Sequence, residues 1–254
     1  MDQNRSESMA SLLKLSHELG REEAQMAILG EGNASARLSA ETFLIKVSGK
    51  NLGTLKEGDV VECNARLLLS VLDNTTLTDE EVEATLMASR MGGGTGRPSV
   101  EAMFHAYCLT LTDARYVGHT HGVAVNRILC SPRAREFAEK RIFPDEVVCC
   151  GIASVFVPYT DPGFRLAREI RRRTEAFIKR HDQMPRVIAL ESHGIITIGR
   201  SPEAVLGAML MAEKSAAVWI GAASLGGPTF LSQRDIRRIA GRTDEHHRQR
   251  ALKL

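Results

Sequence analysis

Apolar positions recur at helical spacing near the start of the chain. Leu12, Leu13, Leu15 and Leu19 supply one face of a helix expected over residues 8–28. The segment 30–35 (Gly-Glu-Gly-Asn-Ala-Ser) then breaks that helix with turn-favouring residues. Phe43 to Ser48 and Asp59 to Cys63 read as strands. Thr78 followed by Glu81 has the spacing of a capping box and predicts a helix over 79–90. A glycine-rich loop follows at 91–96; no Lys-Ser/Thr pair follows its glycines, so it is not a P-loop. Pro98 suits the first turn of a helix running to about residue 111, with Val100, Met103, Phe104 and Tyr107 as its core stripe. Glu101, His105 and Cys108 make the neighbouring stripe, which puts Glu101 at the boundary of the core.

Tyr116-Val117-Gly118 begins a strand that continues into His119. Beyond it the pattern predicts a helix near 132–140, a strand at 154–157, a turn at 159–163 and a charged helix over 164–181. Strand segments at 187–190 and 195–198 flank Glu191-Ser192-His193-Gly194, and Ser201-Pro202 opens a long helix to about Ala223. Helices and short strands alternate without strict strand–helix–strand periodicity or a G-x-G-x-x-G turn. That order predicts a layered α/β sheet with helices on its faces and argues against a dinucleotide-binding fold.

The chain has 254 residues, 43% of them hydrophobic, and no Pro/Ser-rich linker divides it. One domain over 8–254 is expected, with residues 1–7 disordered. The net charge of +2, from 33 basic and 31 acidic residues, gives no bias toward nucleic acid. Basic clusters at Arg171-Arg172-Arg173 and from Arg234 to Lys253 read as solvated helix faces, with binding to nucleic acid or an anionic surface as the alternative. The polar N-terminus has no signal-peptide core, and no run of about 18 apolar residues predicts a membrane span. Five cysteines without a C-x-x-C pattern read as reduced thiols, and a cytoplasmic location is expected.

His119-Thr120-His121 carries the chemistry. On a strand, residues i and i+2 share a face about 6.5–7 Å apart, which lets two imidazoles converge on one cation. The pair alone is a weak signal. His193, at the edge of an apolar strand and followed by a glycine that lets other groups approach closely, is a candidate third ligand. Three neutral imidazoles around zinc leave a fourth position open for substrate. H-E-x-x-H is absent. Arg97, near the glycine-rich loop, offers a guanidinium suited to a phosphate or carboxylate.

The chain resembles the class II aldolase/adducin family over roughly residues 10–225. The motifs occur in order: Gly32-Asn33-Ala34-Ser35-Ala36-Arg37, Lys46-Val47-Ser48-Gly49, Ser99-Val100-Glu101 with His105, His119-Thr120-His121, and Ser192-His193-Gly194. Arg97 to Glu101, together with Val157 to Phe164, is most similar to the aldolase portion of bifunctional rhamnulose-phosphate aldolase/dehydrogenases; the dehydrogenase portion has no counterpart in these 254 residues. The resemblance implies a three-layer α/β/α domain with a largely antiparallel sheet. It implies a divalent metal, usually zinc, on His119, His121 and His193, with Glu101 as acid/base. It also implies a sugar phosphate held by Asn33, Ser48, Gly49 and Ser99, and a homotetramer.

Two departures bear on the reaction. Val100 stands where fuculose-phosphate aldolases carry a second serine, and no tyrosine between His121 and Tyr159 matches the family's proton donor. The leading expectation is cleavage of a ketose 1-phosphate to dihydroxyacetone phosphate and an aldehyde. Epimerisation of a sugar phosphate or decarboxylation of a sugar acid by the same chemistry is the alternative, and an adducin-like interaction module is a third.

Overall fold

Side chains alternate across the strands and divide between two cores. The computed structural model describes residues 3–92 and 96–252. Its strands are β1 (Asn33–Arg37), β2 (Thr42–Lys46), β3 (Val60–Asn64), β4 (Tyr116–Thr120), β5 (Val155–Val157), β6 (Val187–Leu190) and β7 (Gly194–Gly199). They form one sheet in the order β3-β2-β1-β4-β7-β6-β5. Among the described residues five of the six strand pairings are antiparallel; β5 and β6 run parallel. The helices are α1 (Gln3–Leu19), α2 (Ala65–Ser70), α3 (Asp79–Ala88), α4 (Ala102–Cys108), α5 (Val123–Leu129) and α6 (Ala134–Glu139). They continue with α7 (Pro144–Cys150), α8 (Phe164–His181), α9 (Pro202–Ala223), α10 (Gln233–Ala240) and α11 (Thr243–Ala251).

On one face of the sheet, Phe43, Ile45, Val117, Ile188, Leu190 and Ile196 pack with Met103 and Phe104 of α4 and with Ile170 of α8. On the other, Ala34, Leu44, Ala189 and Ile195 pack with Leu12, Leu15 and Leu19 of α1 and with Met209 and Trp219 of α9. Each fully buried Leu or Ile contributes about 1.5–3 kcal/mol. The result is the expected three-layer α/β/α domain with a largely antiparallel sheet. Strand parity positions the polar residues: the odd positions of β1 and β4, hence Asn33, Ser35, Val117 and His119, face α4.

Several boundaries differ from expectation. Helix α1 starts at Gln3, so residues 3–7 are helical rather than disordered, held by Asn4 Nδ2 donating to Leu38 O (3.2 Å) and by an Arg5–Glu62 ion pair (3.3 Å). It ends at Leu19 rather than near residue 28, because Gly20 abuts the backbone of Gly53, where no side chain fits. Residues 33–35, read as a turn, open β1; pairing between β2 and β4 overrides their turn propensity. The helix expected from Pro98 begins only at Ala102, because Pro98 forms a β-bridge to Val47. Helices α2, α5 and α7 are short and lack a strong periodic signal, so the sequence pattern does not predict them. Residues 1–2, the middle of the glycine-rich loop (93–95) and Lys253 of the basic stretch lie outside the described residues.

Other signals match the structure closely. Thr78 and Glu81 make both bonds of a capping box at the start of α3, and Ser201 caps α9 with Pro202 in its first turn. By length and composition α9 is apolar enough to cross a membrane. Its Val205, Ala208, Met209, Ala212, Ala216 and Trp219 are instead buried in the core. The one acid in its middle, Glu213, has a local purpose. Its carboxylate accepts hydrogen bonds from the backbone N–H groups of Ala124 (3.1 Å) and Val125 (3.3 Å), at the start of α5.

Candidate metal centre

Strand β4 presents His119 to the α4 side, and His121 lies just beyond its end. His193 sits in the turn between β6 and β7, beside Ser192 in a left-handed conformation (φ 54°). That turn is tied to α5: Ser192 N–H donates to Leu129 O (3.0 Å) and Asn126 Nδ2 to His193 O (3.0 Å). Gly194 is required by proximity, because a Cβ there would run into Thr120 O and lie 2.8 Å from His121 Cδ2. The chain thereby brings together three histidines that are 74 positions apart at most. Their ring centroids stand 4.8, 4.9 and 5.0 Å apart, and one nitrogen from each lies within 4.8 Å of the others.

The donor set suits a divalent cation. His119 Nδ1 is 2.9 Å from the Ile195 carbonyl and must donate to it, which leaves a lone pair on Nε2. That atom lies 3.0 Å from His121 Nε2. Two such nitrogens repel unless a proton or a cation sits between them, and two tetrahedral ligands of one zinc would be about 3.3 Å apart. His193 Nδ1 is buried without a hydrogen-bond partner. Burial, with His121 nearby, pushes the His119 pKa down to about 3. Burial, with His119 nearby and against the opposing pull of Glu101, lowers His193 to about 4. Both are therefore neutral near pH 7, the state in which imidazole binds metal.

Glu101 joins the cluster from the residue before α4. Its Oε2 is 3.5 Å from His119 Nε2 and its Oε1 3.5 Å from His193 Nε2. Asn33, opposite His119 in the β1–β4 register, donates from Nδ2 to Glu101 Oε2 (2.6 Å) and to Ser99 Oγ (3.2 Å). The Glu101 backbone N–H also donates to Ser99 Oγ (3.3 Å). Glu31 lies beyond His121, 3.8 Å from its Nδ1.

The remaining residues singled out in the sequence lie on two adjoining loops. Ser48 is exposed, its N–H donating to Arg97 O (2.9 Å), and Gly49 follows at φ 78°, where a side chain would be strained. Arg97 is held by a two-pronged pair with Glu83 (2.6 and 2.8 Å), with Ser48 Oγ at 3.5 Å. To grip a substrate anion it would have to leave Glu83.

Sequence reasoning does not single out Lys46 as a site residue. It is buried, with a pKa lowered to about 8 by burial against the opposing charge of Glu101. Its Nζ donates to Gly30 O (2.8 Å) and Lys50 O (2.5 Å), clamping the segment before β1 to the loop after β2. A lysine ending an otherwise apolar strand is the signal that marks it. His105 and Ser35 stand out in the sequence only as motif members. Both are fully buried beside Asn33.

The family described as class II aldolase and adducin N-terminal domain matches residues 10–220. No curated protein matches the sequence. Among solved structures, an L-fuculose 1-phosphate aldolase shares 19% identity over 92% of this chain and 95% of its own, with a TM-score of 0.72. The N-terminal class II aldolase domain of a conserved protein from Thermoplasma acidophilum shares 22% identity, over 84% of this chain and 93% of that one (TM-score 0.66). YgbL from Escherichia coli, a candidate aldolase/epimerase/decarboxylase, shares 17% over 94% and 99%, with a TM-score of 0.69. At these identities the likeness is one of fold.

Proposed function

The chain belongs to the class II aldolase and adducin family, and from that premise we propose that it is a zinc-dependent aldolase cleaving a ketose 1-phosphate reversibly to dihydroxyacetone phosphate and a small aldehyde. Family membership supports an enzyme of the aldolase, epimerase or decarboxylase kind with a divalent metal. The observation that carries the reading further is the meeting of His119, His121 and His193 with a carboxylate 3.5 Å from two of them. An adducin-like interaction module has no use for such a constellation.

In this reading the three imidazoles hold the cation. When bound, it supplies Lewis acidity toward the carbonyl and adjacent hydroxyl oxygens of the sugar, offsetting the charge that develops on cleavage. Glu101 moves the proton: in the condensation direction it takes one from the carbon beside the carbonyl of dihydroxyacetone phosphate and the aldehyde oxygen gains one, and in cleavage the proton lost by that hydroxyl is replaced at the carbon through Glu101. Ser48, Gly49 and Ser99 hold the phosphate with hydroxyl and backbone N–H donors, and Arg97 adds charge after exchanging Glu83 for the substrate. Asn33 belongs to the same binding region, though its amide donors already engage Ser99 and Glu101.

Metal-loaded protein should release dihydroxyacetone phosphate from one or more ketose 1-phosphates in a coupled assay. A chelator should abolish the release and zinc restore it. Val100 and the lack of a tyrosine between His121 and Tyr159 favour the second reading, an epimerase or decarboxylase. Isomeric pentulose phosphates or carbon dioxide, with no triose product, would establish that reading in place of the first.

The proposal includes a cytoplasmic homotetramer. It is supported by apolar side chains on the outer side and end of α9, with Leu210, Val218 and Leu225 at 41, 45 and 87% exposure. Sedimentation velocity should give the mass of four chains; a monomer would remove this part.

A further inference from the structure

The metal centre is backed by a buried polar chain whose order of donors and acceptors is determined by its end. Asn33 Nδ2 lies 2.6 Å from Glu101 Oε2 and 3.2 Å from Ser99 Oγ, so the NH2 group of the amide is the one that meets the carboxyl. The Asn33 Oδ1 then faces His105, and it accepts from His105 Nε2, which must carry the proton. That makes His105 Nδ1 the bare nitrogen, and Ser35 Oγ, 2.7 Å away, donates to it. The donors of Ser35 and His105 thus run toward Asn33, whose NH2 group meets Glu101 and Ser99. Ser35 and His105 are fully buried, and Asn33 is 3% exposed, so no water competes for these bonds. Ring stacking of Phe104 on His105 at 4.7 Å holds the imidazole in plane.

From this we infer that His105 is a positioning residue: its Nε2–H fixes the orientation of the Asn33 amide, and the amide in turn holds Glu101 as an acceptor aimed at the three imidazoles. Asn33 accordingly serves the acid/base as well as the substrate. Without the His105 donor the Asn33 oxygen loses its partner, and the amide is held from one side only, by Glu101 and Ser99. The geometry depends on parity and reach: Asn33 and Ser35 share one face of β1, and His105 lies one helical turn beyond Glu101. The inference rests on the proposed role of Glu101.

The test compares His105→Leu with His105→Gln, whose side-chain NH2 can replace Nε2–H and whose oxygen can accept from Ser35. In the metal-loaded protein His105→Leu should lower kcat by about 10–100-fold, the usual cost of an outer hydrogen-bond partner. KM and bound metal should stay unchanged, and His105→Gln should recover most of the rate. Full rate in His105→Leu, or equal loss in both variants with loss of metal, would overturn the inference while leaving the aldolase reading intact. A second readout needs no turnover and no variant that folds poorly. Long-range 1H–15N correlation on histidine-labelled wild type at pH 7 should show His105 neutral with the proton on Nε2. A proton on Nδ1, or an imidazolium, would overturn the chain even in a protein that cleaves nothing. Absence of triose release from the wild type, with the Nε2–H form observed, would instead reject the aldolase reading alone.

Discussion

Replacing His119 with alanine should abolish binding of a divalent metal at the three-histidine site. His119 is the most buried of the three imidazoles and the one whose tautomer is fixed, by Ile195 O. Losing it leaves two nitrogens, and metal affinity should fall by more than the roughly 10–100-fold expected from losing an outer partner. Metal analysis after dialysis, with calorimetric titration of zinc, reads the result directly. The substitution also opens a void and leaves the Ile195 carbonyl without its donor, a cost of about 1–3 kcal/mol. His121→Ala separates the two effects. The His121 side chain is 23% exposed, so its removal should release the metal with a smaller loss of stability. Equimolar metal persisting in His119→Ala would rule out a cation held by these three rings.

The second large effect is expected from Glu101→Gln. Glutamine fills the same volume and can turn its oxygen toward Asn33 Nδ2, so the fold and the three-histidine site should survive. What it lacks is a carboxylate that can take and return a proton, and kcat should fall by about 10²–10⁴-fold. Metal content and KM for the ketose phosphate should change little. The contrast between the variants is informative: one loses metal and rate together, the other rate alone. A Glu101→Gln enzyme at full speed would sink the assignment of Glu101.

Much of this centre is legible in the residues. His119 and His121 stand at the one strand spacing that turns two rings to the same side. His193 is marked by the glycine after it, whose missing side chain makes room for His121 and the Thr120 carbonyl. Local pattern fails where tertiary contacts dominate. Asn33 to Ser35 carry turn-forming residues and become a strand because β2 and β4 pair on either side. Helix α5 has no periodic stripe long enough to detect, yet it anchors the His193 turn. Arg97 looks free in the sequence because nothing in its neighbourhood announces Glu83, 14 residues before it. The orientation of the Asn33 amide depends on partners 66 to 72 positions away, and no window along the chain contains them.

The pairing of Asn33 with His119 across neighbouring strands has a consequence for how such a protein can change. A single residue inserted into either strand would turn its downstream side chains to the opposite side of the sheet, separating histidine from amide in one step. The reacting centre thus tolerates substitution but not a change of frame.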